Sequence, residues 1–372
     1  MVYTMKKITL LYNTTVYVYK FRIKLIQKLQ ELGYEVIVVA PRDEYVKKLQ
    51  ELNIKHQHID ISQYGLNPFK ELLTTYKIYK IFKKYNPEYS LHYTIKPNIF
   101  GGIAAYFTNI KVINNIAGAG KAFTNENSLF AKIISLLYKI GLSNSYYILF
   151  QNNDDMQLFL NRNIVSEKKS KRIPGSGVDL TKYNNGGNNS DGKYFLFVGR
   201  LLKEKGIENY LEAAKMTLKK FPDTIFKIVG EHEDRKEYIS KDILNKYLEN
   251  ENIIYYGAVS PDKMPSILGE SFCIVLPSYY REGVPRSLLE AAAMSKPIIT
   301  TNNVGCREVV DENINGYKCE IQDSECLHQS MVKFLNLSDN EKYTMGQNGR
   351  KKMEKEFDEK IVIDQYISLI KD

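Results

Sequence analysis

FCIVLPSYYREGVPRSLLEAAAMSKPIITT, running from Phe272 to Thr301, decides the fold. Its apolar opening, Phe272 to Ser278, is short enough for a buried strand. A polar loop then leads through Pro285 into a helical pattern, and PIITT (Pro297–Thr301) restores strand character. Strand, loop, helix and strand in this order predict a parallel βαβ unit, whose loops lie where α/β sheets bind ligands. The loop and helix carry Glu282 and Glu290, so both carboxylates can face one polyhydroxylated ligand, with the helix-start amides facing its anionic part.

The same alternation extends through the chain. In the first half, strands are expected at Lys7–Tyr12, Tyr34–Ala40, Lys55–Ile61, Tyr89–Thr94, Lys111–Ile116 and Tyr146–Gln151, with helical patterns between them. The run YNNGGNNSDGK, Tyr183 to Lys193, interrupts this pattern and reads as a linker. Strands resume at Tyr194–Gly199, Thr224–Gly230, Asn252–Gly257, Phe272–Ser278 and Pro297–Thr301. The expected organisation is therefore α/β: a Rossmann-like doubly wound domain over residues 1–183, a linker over 184–193 and a second such domain over 194–358, facing each other across a cleft.

Composition narrows the class. Of the 372 residues, 44% are hydrophobic and 26% charged, as in ordinary soluble globular proteins. Cys273, Cys306, Cys319 and Cys326 form no C-x-x-C pair and read as free thiols, Cys273 as a core residue. The opening MVYTMKKITLLYN shows no signal-peptide cleavage pattern, and no apolar run is long enough to span a bilayer. Charge is uneven: residues 1–175 hold 25 Lys plus Arg against 12 Asp plus Glu, a net +13, and the remainder is net −4. A basic half points to a polyanionic partner, nucleic acid or an anionic membrane. Two basic helical segments, Lys70–Tyr85 and Ser128–Leu142, have the composition of interfacial helices, although either could simply pack one face on a sheet.

Immediately after the linker comes FVGRLLKEKGIENYLEAA. Gly199 turns the chain out of a strand, and Arg200 and Lys205 precede a helix beginning near Gly206. Two cations beside a helix amino end suit a diphosphate.

EGVPRSLLEA resembles the E-x7-E signature of the retaining family 4 glycosyltransferases of the GT-B fold, and GRLLKEKG resembles their G-R-x-x-x-x-K-G element. The resemblance implies that Arg200 and Lys205 hold the diphosphate of a sugar donor, that Glu282 sits beside its sugar, and that Glu290 binds the ribose. It also places Gly230, Gly283 and Val284 in the donor site, with Gly230 allowing the base to approach. Catalysis would fall to Glu282, Arg200 and Lys205, without a cofactor or a metal. The final helix, residues 359–371, is expected to return to the first domain. VGCREVV (Val304–Val310) departs from the G-G-x-x-E usual at this place, because Cys306 replaces the second glycine.

The first domain resembles the bacterial subgroup that assembles capsule, O-antigen and N-glycan precursors on undecaprenyl diphosphate. Acceptor-side candidates are His92, Lys96, Asn98, Asn115 and Lys121, with the two lysines available to a lipid diphosphate. Two departures stand here: NTTVYVYKFR lacks the usual Gly-Gly, and Asn115 stands where many members carry a histidine. His56 and His58 share one face of a strand but have no evident third metal ligand. The expectation is a retaining transferase moving an N-acetylhexosamine from a UDP-sugar to a polyprenyl-diphosphate-linked glycan. It would work as a peripheral protein on the cytoplasmic membrane face, held there by its basic half. A catalytically silent sugar-nucleotide binder or scaffold is the alternative. A nucleic-acid binder fits less well, given dispersed tyrosines and an acidic second half.

Overall fold

The computed structural model describes residues 5–62, 65, 67–120, 123, 128–184 and 194–371. The chain divides into two compact units, Met1–Ile173 with Val362–Asp372, and Pro174–Ile361.

The first unit contains strands β1 (Lys7–Leu11), β2 (Glu35–Ala40), β3 (Lys55–His58), β4 (Tyr89–Tyr93), β5 (Lys111–Ile116), β6 (Tyr147–Phe150) and β7 (Ser170–Arg172). They form one parallel sheet in the order β3-β2-β1-β4-β5-β6-β7. Strand side chains alternate between faces, so β1 serves two cores. Ile8 and Leu10 pack with Leu25, Ile26 and Leu29, while Leu11 packs with Ile78 and Phe82. Val362, Tyr366, Ile367, Leu369 and Ile370 of the last helix, Glu359–Lys371, belong to the core containing Ile8. The helix is fastened by a polar contact as well: Asn115 Nδ2 donates to the Tyr366 hydroxyl at 2.8 Å.

The second unit contains β8 (Tyr194–Val198), β9 (Ile225–Val229), β10 (Ile253–Tyr255), β11 (Cys273–Leu276), β12 (Ile298–Thr301) and β13 (Gly316–Cys319). These are again parallel, in the order β10-β9-β8-β11-β12-β13. All five residues of β8 and all four of β11 are buried, because helices cover both faces of such a sheet. Winding runs outward from β8 in one direction and then restarts beside it at β11. In each sheet a switch of this kind, β1 against β4 and β8 against β11, leaves a crevice at the carboxyl ends of two neighbouring strands.

Two details depart from the sequence reading. The first unit ends at Ile173 rather than Tyr183, because Val178 and Tyr183 are buried in the second unit's core. Strands β7 and β13 had no counterpart among the expected strands: Ser-Lys-Arg has no apolar residue, and Gly-Tyr-Lys-Cys is short and glycine-led. Residues 185–193 of the expected linker lie outside the described residues. Among the described residues, no helix is long and apolar enough to cross a membrane.

Candidate active site at the switch point of the second unit

The loops leaving β8 and β11 are pressed together by the absence of a side chain. Gly206 has φ +76°, and a Cβ there would lie 2.0 Å from the Pro277 carbonyl oxygen, so only glycine allows this approach. Polar contacts then lace the loops. The Glu204 carbonyl accepts the Tyr279 and Tyr280 amides at 2.9 and 3.1 Å and the Ser278 hydroxyl at 3.3 Å. Asn303 Nδ2 donates to the carbonyls of Ser278 at 3.2 Å and Tyr280 at 2.8 Å.

This lacing brings Lys205 and Glu282 together. Lys205 Nζ donates to Glu282 Oε2 at 2.5 Å, and the Ser278 hydroxyl donates to Oε1 at 2.7 Å. Both ionic side chains are largely buried, at 17% and 11% exposure. Removing one partner of such a pair leaves a stranded charge, at a cost of about 3–5 kcal/mol. Cys306 lies in the same electrostatic neighbourhood. Burial first, and the charge of Glu282 second, push its thiol up to about 12, so it stays neutral. The close approach expected of a second glycine here is made by Gly305 alone: at φ +82°, a Cβ would meet the Gly283 carbonyl oxygen at 1.6 Å.

The helix Arg286–Ala293 carries Glu290 away from this loop. Arg286, one turn earlier, donates from Nε to Glu290 Oε1 at 2.9 Å and from Nη1 to the Gly177 carbonyl at 3.1 Å. The Tyr183 phenol also bonds to Glu290; burial first, then that carboxylate's charge, hold its pKa well above the ordinary value. Glu290 is thus oriented by two residues that the sequence reading did not single out. Arg286 was findable from its i,i+4 spacing. Tyr183 was not, since it stood at the edge of an apparent linker.

The remaining donor-side candidates are distributed differently. Arg200 is exposed and stands within range of the loop after β9. There Glu233 is held below the usual carboxylate range chiefly by the Tyr238 hydroxyl, with Arg235 and Arg200 also contributing. Gly230 is required by its own sheet, because a Cβ would lie 1.7 Å from the Gly199 carbonyl oxygen. Val284 is buried in the core with its side chain against Gly175, so that side chain is not offered to a ligand.

The first-unit candidates are mostly buried. His92 is fully buried, with Nε2 2.8 Å from Ser90 Oγ, which itself accepts from Thr9 Oγ1 at 2.7 Å. Burial lowers its pKa to about 3. Lys96 is buried and neutralised: its ammonium donates to Glu71 Oε1 and Ser62 Oγ, both at 2.5 Å. Asn98 donates to the Asn115 carbonyl at 2.8 Å, and Asn114 donates back to Asn98 Oδ1 at 3.0 Å. With Asn115 tied to Tyr366, this is a buried network supporting strand ends. None of these four side chains presents free polar surface to an acceptor, and Lys121 lies outside the described residues. His56 and His58 are also committed, to the Ala40 carbonyl and to the Arg42 amide and Asp60. Among the described residues, no three His, Cys, Asp or Glu side chains cluster as metal ligands.

Comparison with known proteins accounts for both units. A family model described as glycosyl transferase 4-like matches residues 7–152, and one described as glycosyl transferases group 1 matches residues 181–352. The chain belongs to the family 4 glycosyltransferases. It is a nucleotide-sugar-dependent enzyme with the two Rossmann-like domains of the GT-B fold. It is 26% identical, over 95% of both chains, to the N,N'-diacetylbacillosaminyl-diphospho-undecaprenol alpha-1,3-N-acetylgalactosaminyltransferase of Campylobacter jejuni. It is also 26% identical, over 72% of both chains, to the UDP-Gal:alpha-D-GlcNAc-diphosphoundecaprenol alpha-1,3-galactosyltransferase of Escherichia coli. A glycosyltransferase of Rickettsia africae has the same fold, with a TM-score of 0.77, 22% identity, and coverage of 99% of this chain and 98% of that one.

The depressed His92 pKa has a measurable consequence. Between its ordinary pKa of 6.5 and about 3, the unfolded chain takes up a proton that the folded one refuses, so stability falls as pH falls through that window. At about 1.4 kcal/mol per pH unit, wild type should lose up to about 2 kcal/mol more than His92→Gln between pH 6.5 and 5. Urea unfolding at the two pH values measures this; parallel losses in the two proteins would contradict the assignment.

Proposed function

We propose that this glycosyltransferase moves an N-acetylhexosamine, with retention, from a UDP-sugar to a polyprenyl-diphosphate-linked glycan at the cytoplasmic face of a membrane. The observation that carries the reading is the Lys205–Glu282 pair, fixed by Ser278 at the switch point between β8 and β11. Departure of a nucleoside diphosphate builds negative charge on phosphate oxygens and positive charge on the sugar ring. A fixed ammonium and a fixed carboxylate side by side answer both, and neither must reorganise as the bond breaks. Arg200, on the same loop as Lys205, would add a second cation for the diphosphate, and Glu290, held by Arg286 and Tyr183, would accept from the ribose hydroxyls. These protein cations supply the charge that a divalent metal would otherwise bring. Attack by the acceptor hydroxyl on the leaving-group face, with a phosphate oxygen taking its proton, would preserve the anomeric configuration without a protein nucleophile. The acceptor class is supported by the Campylobacter and Escherichia relatives, whose names specify undecaprenyl-diphosphate-linked substrates, and the hexosamine by the Campylobacter relative alone, since the Escherichia one is named a galactosyltransferase.

The membrane reading rests on the first unit's helices. Pro68–Tyr85 exposes Phe69, Leu72, Leu73 and Tyr76, and Leu129–Leu142 exposes Leu129, Phe130, Ile133, Leu136 and Ile140. Gly102–Tyr106 packs against both helices, and Tyr106 and Phe107 at its end are exposed as well. Phe69 is 83% and Leu129 74% exposed, far beyond the scattered apolar residues of an ordinary surface. Exposed lysines 70, 77, 80, 83, 84, 132 and 139 lie on the same two helices. Apolar side chains flanked by lysines match the chemistry of an anionic bilayer surface.

A panel of UDP-sugars, incubated with short-chain polyprenyl-diphosphate glycans in EDTA-treated buffer and read by mass spectrometry, tests the activity. The acceptor should gain one N-acetylhexosaminyl residue; transfer only of another sugar, or only with added metal, would overturn that part of the proposal. Lys205→Ala should lower turnover by about 100-fold or more with folding retained, and a near-normal rate would remove its role. The double variant Phe69→Glu/Leu129→Glu should bind phosphatidylserine-containing vesicles about tenfold more weakly than wild type in sedimentation assays. Equal binding by both proteins would remove these helices from the membrane contact.

A further inference from the structure

The switch point of the first unit contains a group of side chains that the reading above leaves unused. Leu11 of β1 is in register with His92 of β4, and the next residues, Tyr12 and Tyr93, stack with ring centres 4.4 Å apart. One residue further along each strand come Asn13 and Thr94. Asn13 Oδ1 and Thr94 Oγ1 are both buried without a hydrogen-bond partner. Thr94 also holds φ +67°, a left-handed conformation that a β-branched residue rarely adopts.

Beside them is Arg22, only 4% exposed. Its Nε donates to the Tyr12 hydroxyl at 3.0 Å, its Nη1 reaches the Phe21 carbonyl at 3.4 Å, and its guanidinium lies 4.6 Å from the centre of the Tyr93 ring. Among the described residues, no carboxylate pairs with it. The acid that follows β2, Asp43, accepts instead from the hydroxyls of Thr14 and Thr15 and from the Tyr45 amide. A buried guanidinium without a counter-charge, two buried oxygens without donors and a strained threonine are each unfavourable in a folded chain. Here they coincide where two strands end in the crevice that α/β sheets use for ligands.

One chemical group answers all of them. A phosphoryl oxygen would supply the missing anion to Arg22, and hydroxyls on an adjoining sugar ring would donate to Asn13 and Thr94. We propose that Arg22, Asn13 and Thr94 form a glycosyl-phosphate subsite in the first unit. The proposal deepens the transferase reading, since the glycosyl phosphate would be that of the lipid-linked acceptor.

The test is calorimetric titration of the full chain with N-acetylglucosamine 1-phosphate, with and without saturating UDP to fill the second-unit site. Binding should persist in the presence of UDP. It should weaken at least about tenfold in Arg22→Gln and in Thr94→Gly, while UDP affinity stays within about twofold of wild type. Thr94→Gly guards against misfolding, because glycine accepts φ +67° without strain and should leave the melting temperature equal or higher. A merely structural Thr94 would show that stability with unchanged phosphate binding, which would overturn the proposal, as would complete displacement of the sugar phosphate by UDP. Steady-state kinetics read the same site: Arg22→Gln should raise the KM for the lipid acceptor and leave that for the UDP-sugar near wild type. An unchanged acceptor KM, or a rise confined to the UDP-sugar, would also overturn it. The binding arm needs no turnover, so its failure is distinguishable from failure of the catalytic reading.

Discussion

The close approach of Gly206 to the Pro277 carbonyl is the constraint on which the second unit's chemistry depends. Any side chain at Gly206 would push apart the loops that leave β8 and β11. Their contact lets the Glu204 carbonyl gather two amides and a hydroxyl from the other loop. It also sets an ammonium against a carboxylate in a largely buried place. Gly305 does the same from the far side, admitting the Gly283 carbonyl where any side chain would collide. The ion pair is therefore a product of backbone packing at a strand crossover. Its geometry is fixed before any ligand arrives, which is the condition for electrostatic stabilisation of a transition state.

Much of this was legible in the sequence, for physical reasons. Buried parallel strands are apolar runs, so ten of the thirteen strands stood out as short hydrophobic segments between helical patterns, and the polar β3 was marked by its position ahead of the apolar Ile59 and Ile61. The other two strands lacked both signals: β7 is polar, and β13 is short and begins with glycine. Local spacing also marked the pairing of Glu282 with the helix that carries Glu290. It could not show that Ser278 and Arg286 hold those carboxylates, since both are contacts made through folding. Nor could it place Tyr183, which looks like the edge of a polar linker yet packs into the core beside Glu290.

The first unit shows what composition alone does not reveal. His92, Lys96, Asn98 and Asn115 are polar residues near strand ends, a composition that suggests a binding surface. In the fold three of them pair with buried neighbours, Lys96 with Glu71, Asn98 with Asn114 and Asn115, and Asn115 with Tyr366 of the last helix, while His92 meets Ser90 through Nε2 and leaves Nδ1 without a partner. Burial makes such pairing obligatory, and a single sequence does not distinguish a satisfied polar network from an available one. Arg22, which lacks a counter-charge among the described residues, and Asn13 and Thr94, whose oxygens lack partners, gave no sequence signal, because a lysine- and arginine-rich segment makes one more arginine unremarkable. Apolar exposure on the neighbouring helices was partly visible, since Leu129–Leu142 has too many large apolar residues for a single packed face.

The central claim is that the crevice between β8 and β11 receives the diphosphate of the sugar donor. A crystal structure of the chain with bound UDP tests it most directly. The account predicts the diphosphate within hydrogen-bonding distance of Lys205 and the ribose hydroxyls at Glu290. A nucleotide bound elsewhere, with neither side chain touching it, would contradict the account.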